Sequence, residues 1–170
     1  MSSATPFIIW TLQRTGGTNL AQRLFERSAL LEKAKADVTE RPGAHWLAEI
    51  PDQWKLHEPF NYGDQGRVFS PITTNWIDTG DRDALRQAIR EVCGLGLPMK
   101  HCVEMVPWEV TETLAEESVK AGYRHLFLYR QNPVDRLLSL QFAKLSGIWG
   151  RHFRDNATLS DRIFAEPLPV

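Results

Sequence analysis

An α/β fold, a three-layer sandwich with a central parallel sheet and a P-loop-like nucleotide-binding topology, is predicted by three observations. The continuous apolar run FIIWTL (7–12) has the Ile and aromatic content of a central strand buried on both faces, and HLFLY (125–129) is a second strongly apolar strand. Each run is followed by a helical pattern, so strands and helices alternate as they do in parallel sheets with right-handed crossovers. The first run passes through Gly16-Gly17 directly into an amphipathic helix, the layout of an anion-cradling loop.

Taken in order, Phe7 to Leu12 predicts the first strand. Thr18 to Ser28 sets Leu20, Leu24 and Phe25 on one helical face and Gln22, Arg23, Glu26 and Arg27 on others. Residues 32 to 80 carry Pro42, Pro51, Pro59 and Pro71 among short helical pieces, and predict an irregular insertion over the active face. Arg82 to Val92 reads as a helix with Leu85, Ile89 and Val92 in register, and Leu97 to Lys100 as a short strand. Pro107 to Lys120 is a helix opened by proline and stopped by Gly122. After the HLFLY strand, Pro133 to Ser146 predicts a helix that ends at Gly147. Its inward residues are Leu137, Leu145 and either Leu140 or the pair Leu138 and Phe142. At this length one domain over 1–170 is expected.

Composition narrows the function classes. The 170 residues are 42% hydrophobic and 24% charged with a net charge of −1, which argues against a general nucleic-acid binder. The charge is uneven: Arg130, Arg136, Lys144, Arg151 and Arg154 stand against Asp135 alone, a basic stretch that suits a local anion site or a solvated helix face. Cys93 and Cys102 lack metal-ligand spacing, so free thiols and no metal are expected. MSSATP has no basic leader region, and the apolar run after it is too short to cross a bilayer. A cytoplasmic protein without stable membrane insertion is expected, with a homodimer left open.

The chemistry concentrates in two clusters. In Gln13-Arg14-Thr15-Gly16-Gly17-Thr18-Asn19 the glycines let backbone N–H groups converge, and the new helix turns its positive end toward the loop. Arg14 adds a full charge, and Thr15 and Thr18 add hydroxyls. Alone, the same residues also suit a plain strand–helix turn. The second cluster, LYRQNPVDRLLSL, puts Arg130 after a strand and Ser139 on the next helix. Alone, it also suits a sheet-edge arginine and a core serine.

Together the clusters resemble the sulfotransferases that use 3′-phosphoadenosine 5′-phosphosulfate (PAPS). Arg14-Thr15-Gly16-Gly17-Thr18 is similar to that family's R-[ST]-G-[SGT]-T loop for the 5′-phosphosulfate, and Arg130 with Ser139 to its 3′-phosphate site. HEPF (57–60) and AKLSGIWG (143–150) look like its bacterial carbohydrate-type branch, which also places arginine at the position of Arg14. The resemblance implies sulfuryl transfer from PAPS, without metal, to a hydroxyl of a carbohydrate or glycolipid. It implies cofactor contacts by Arg14, Thr15, Gly16, Gly17, Thr18, Asn19, Arg130 and Ser139. Family members continue into a cover over the nucleotide, whereas this chain stops at FAEPLPV, which leaves a truncated C-terminus as an open reading.

Arg14 is then expected to stabilise charge on the bridging oxygen. Glu58, in the Glu-Pro unit, is the leading candidate for general base, with Pro59 and Phe60 providing a dry setting that would raise its pKa. His101, after the LPMK strand, is the second candidate, His57 can orient Glu58, and Lys100 can reach a sulfuryl oxygen. Each also has a structural reading, as a loop-fixing carboxylate, a core histidine or a solvated lysine. Trp46, Trp54 and Trp76 can stack on a sugar or on adenine. Competing functions are a non-catalytic sulfotransferase-like binding protein and a P-loop nucleotide kinase. The kinase would need a Lys-Ser/Thr loop ending and an acidic residue after another strand to hold Mg²⁺.

Overall fold

The computed structural model describes residues 5–26, 57–63 and 67–146. Expectations for Trp46, Trp54, residues 32–56 and 64–66 of the 32–80 insertion, and the C-terminal segment from 147 fall outside those residues. The chain divides into two compact units, Met1–Tyr129 and Arg130–Val170.

In the first unit three parallel strands lie in the order β2-β1-β3, with β1 (Phe7–Thr11) between β2 (Met99–Cys102) and β3 (Arg124–Leu128). Ile8 pairs with Met99 and His125, and Ile9 with Lys100 and Leu126. Ile8 and Ile9 are both fully buried, as a continuous apolar run in a central strand requires. A parallel sheet with helical crossovers is therefore present, an α/β class.

β2 begins two residues later than Leu97 to Lys100 suggests. The preceding helix runs on to Gly94, Gly96 turns with φ 66°, and Pro98 has no N–H to give a ladder. Leu97 is 1% exposed, so its apolar character reports burial of a connector and not a strand. HLFLY is a strand as expected, β3, beginning one residue earlier at Arg124. Among the described residues β3 is an edge strand, and Leu126 and Phe127 are 44% and 73% exposed. An apolar run by itself does not distinguish a central from an edge position.

The described residues also hold a short 3-10 turn (Val103–Met105) and five α-helices: α1 (Gly17–Glu26), α2 (Ser70–Thr79), α3 (Arg82–Gly94), α4 (Trp108–Lys120) and, in the second unit, α5 (Pro133–Ser146). The irregular insertion expected over 32–80 does not extend to α2. Pro71 sits in its first turn, where a missing N–H costs nothing, and Gly80 closes it in the left-handed conformation with its N–H on the Trp76 carbonyl. The Asp81 carboxylate accepts from the Asp83 and Ala84 N–H groups at 3.0 Å and so caps α3. Helices α3 and α4 pack together, and the Glu117 carboxylate on α4 accepts from Arg90 at 2.9 Å and Lys120 at 2.6 Å.

Ile8, Met99, Ile89, Val110 and Leu114 form the centre of one apolar cluster, with Phe60 and Phe69 packed into it. In α5 the expected inward residues Leu137 and Leu145 are exposed, as is Leu138, while Ala143 is buried and Leu140 and Phe142 are half-buried. Helical periodicity marks an apolar face; which residues on it are covered depends on neighbours that periodicity does not encode.

His101 belongs to this core. It is 1% exposed, lies edge-on to Trp10 at 5.2 Å and shares a 3.0 Å hydrogen bond between Nε2 and the Thr111 hydroxyl. Burial lowers its pKa to about 4. The unfolded chain, with an ordinary histidine, takes up its proton first as pH falls. This contribution is intact above the ordinary value of 6.5 and is lost between 6.5 and about 4. The urea midpoint should fall over that window, and His101→Gln should make the fall shallower.

Candidate functional site

β1 delivers the chain into the Gln13–Gly16 loop, and α1 starts at Gly17. Arg14 (φ 63°) and Gly16 (φ 83°) are both left-handed. Thr15 closes the loop by donating its hydroxyl to the Leu12 carbonyl at 2.8 Å, and the Gln13 N–H donates to the Glu104 carboxylate at 2.7 Å. Arg14 and Thr15 are half-buried, while Gly16, Thr18 and Asn19 are exposed.

Gly17 is required by packing. A Cβ there would lie 2.6 Å from Thr11 Cγ2 and 2.9 Å from Lys100 Cε. The first turn of α1 therefore rests directly on the sheet, with the lysine stem lying across it.

Strand alternation separates the two residues at the middle of β2. His101 faces Trp10 and the core, whereas Lys100 faces α1. Lys100 is 4% exposed, and its Nζ donates to the Glu58 carboxylate and lies 3.2 Å from His57 Nε2. The backbone fixes this arrangement: His57 forms a parallel bridge with Lys100, and the Glu58 N–H donates to the Lys100 carbonyl at 2.9 Å. Thr18 Oγ1 is 2.8 Å from His57 Nε2. An ammonium only donates, so Nε2 carries the lone pair and the Thr18 hydroxyl donates to it as well.

Burial and charge act on these groups in opposite senses. Burial alone pushes the Glu58 carboxyl up, but the Lys100 charge and hydrogen bond, with His57 and Arg67, bring it below its ordinary value. The raised pKa expected for Glu58 is thus corrected: its surroundings are dry, yet the lysine prevails. Burial first, then Lys100, lowers His57 to about 4, so it is neutral at neutral pH. Among the described residues Glu58 (φ 54°) and Arg14 are the two non-glycine residues with positive φ, a strain of about 1–3 kcal/mol each.

The sequence-predicted residues thus fall into three places. Glu58, His57, Lys100, Gly17 and Thr18 come together at the start of α1, alongside the Arg14 loop. His101 lies on the other face of the sheet. Arg130 and Ser139 belong to the second unit, where Arg130 is exposed with its Nη1 3.3 Å from the Asp135 carbonyl, and Ser139 is half-buried on α5. Asn61, whose amide reaches Glu58 Oε2 at 3.4 Å, was not signalled by the sequence.

Among the described residues no group of three His, Cys, Asp or Glu is placed to hold a metal, and no helix is long and apolar enough to cross a membrane. Cys93 and Cys102 are buried free thiols. A pocket of about 370 Å³ opens over the Trp10 face, lined by Trp10, Trp108, His125, Phe127 and Tyr129 among others, and it supplies no full charge for an anion. No protein-family model, curated protein or solved structure matches this chain.

Gly17→Ala should push α1 away from Thr11 and the Lys100 stem and destabilise the protein by about 1–3 kcal/mol, the usual cost of overpacking. Gly16→Ala meets no atom within 4 Å, so its effect should be confined to the strain of φ 83°. Urea denaturation of both variants checks the difference.

Proposed function

We propose that the protein transfers a sulfuryl group from PAPS to a hydroxyl of a carbohydrate or glycolipid acceptor, within a three-layer, P-loop-like fold. The observation that carries this reading is the buried Lys100 ammonium at the first turn of α1, beside Arg14 and the Gly16-Gly17 loop. A fixed cation, a helix N-terminus and close backbone approach suit a phosphosulfate. PAPS supplies the sulfuryl group: the acceptor oxygen bonds to sulfur, the bridging S–O bond breaks and 3′,5′-adenosine bisphosphate leaves.

Each residue then has a defined task. Arg14, Lys100 and the opening N–H groups of α1 neutralise charge on the non-bridging and bridging oxygens, the dominant contribution in such transfers. Glu58 takes the acceptor proton, His57 and Asn61 hold its position, and Thr15 keeps the loop closed. Arg130 and Ser139 hold the 3′-phosphate in this proposal, on the strength of their place in the sequence. A second reading, a nucleotide kinase, draws on Glu104, an acid just past β2 whose carboxylate binds the loop at Gln13. A third, a binding protein without turnover, would keep the anion site alone.

Thermal melting separates the readings. 3′,5′-Adenosine bisphosphate should raise Tm clearly more than ATP with Mg²⁺; the reverse order would favour the kinase. Arg130→Ala should weaken the bisphosphate more than 5′-AMP by roughly 1.5–3 kcal/mol, one charge-assisted hydrogen bond. Equal losses would remove Arg130 from the 3′-phosphate.

Glu58→Gln should lower turnover by about 10²–10⁴-fold, the share of a positioned base. His101→Gln should act on stability and leave turnover of the folded fraction nearly intact. A folded but inactive His101→Gln protein beside an active Glu58→Gln protein would transfer the role to His101.

A further inference from the structure

The same ammonium that suits an incoming anion is already engaged by the carboxylate assigned as base. Lys100 Nζ donates to Glu58, and its stem lies against Gly17 at the first turn of α1. Both partners are largely buried, with side-chain exposures of 6% for Lys100 and 15% for Glu58, so water competes weakly for either. Lys100 therefore stands between Glu58 and the loop at the start of α1.

We infer that Lys100 is a switch: an anion at the Gly16-Gly17 loop competes with Glu58 for its ammonium, so that anion binding and proton binding by Glu58 are linked. The inference rests on the anion-site reading of that loop. In the resting protein Lys100 holds Glu58 as a weakly basic carboxylate. As the anion draws the ammonium toward itself, burial, the largest influence on Glu58, is no longer outweighed and its basicity rises. The base becomes effective only once the donor is in place. Lys100 thus acts through Glu58, as a positioning residue for the base as well as a contact for the anion.

The groups facing Glu58 set the sign. Lys100 from β2 and Arg67 from the segment before α2 favour its ionised form, His57 from the preceding residue does so only when protonated, and Asn61 is neutral. His57 feels the same change, because Lys100 also lowers its pKa. Proton uptake must accordingly be assigned between Glu58 and His57 by substitution. Linkage also requires reciprocity: removing the Glu58 charge should free Lys100 and tighten anion binding.

Adenosine 5′-phosphosulfate is a suitable probe, since its anion has no group that titrates near neutral pH. Calorimetric titration of the full chain in mildly acidic buffers of different ionisation enthalpy should show net proton uptake on binding. Glu58→Gln should abolish most of that uptake and bind the probe about fivefold or more tightly. Binding without uptake, at unchanged affinity in Glu58→Gln, would overturn the switch and leave the anion site standing. Uptake that survives Glu58→Gln and vanishes in His57→Gln would overturn the assignment to Glu58. Absence of binding in the folded wild-type protein would remove the anion site and the switch together.

Discussion

The ion pair between Lys100 and Glu58 is the constraint around which the site is arranged. A buried pair of this kind is weak evidence for stability, since desolvating both ions offsets their attraction, whereas removing one partner alone typically costs about 3–5 kcal/mol. What the pair does is hold a position. It ties the 57–61 segment to β2, brings His57 against Thr18, and sets a fixed positive charge at the first turn of α1. Gly17 is the steric condition for this, because any side chain there would occupy the path of the lysine stem.

The fold explains why these residues meet. Parallel strands release their chains at one end, and β1 and β2 are adjacent, so the Arg14 loop and the end of β2 converge without a long connection. The positive φ angles of Arg14 and Glu58 place strain at the same end of the sheet. Strain of this kind persists where surrounding contacts over-determine it, and Glu58 is fixed both through its backbone N–H on Lys100 and through its carboxylate. A carboxylate held this firmly by a cation is poorly basic, so a catalytic role requires a change in that cation's engagement. That requirement joins the proposed reaction to the proposed switch.

How much of this was legible in the sequence differs by element. β1, α1, α3 and α4 could be read from apolar runs, 3.6-residue periodicity and the proline and glycine at their ends. The Gly16-Gly17 loop and the Glu-Pro unit pointed to Glu58 and to the start of α1. The lowered pKa of Glu58 was not legible, since Lys100 is forty-two residues away and only the parallel bridge at His57 brings the two together. His101 was a plausible base by its place after a strand, and the one-residue alternation along β2 turns it into the core while Lys100 takes the site. Pro71 read as a breaker because proline interrupts a helix interior, whereas in the first turn, where Pro71 lies, it opens one. The exposure of Phe127 depends on which strands flank β3, a long-range property absent from a local apolar run.

The central claim is that Lys100 provides the charge that holds the anion. Glu58→Gln with Lys100→Met, compared with Glu58→Gln alone, removes the ammonium without leaving a buried carboxylate unpaired. The dissociation constant for 3′,5′-adenosine bisphosphate, measured by calorimetry on proteins with matching near-ultraviolet circular dichroism, should be about tenfold or more weaker in the double variant, as expected for a charge-assisted hydrogen bond. Equal affinities in the two variants would contradict the account.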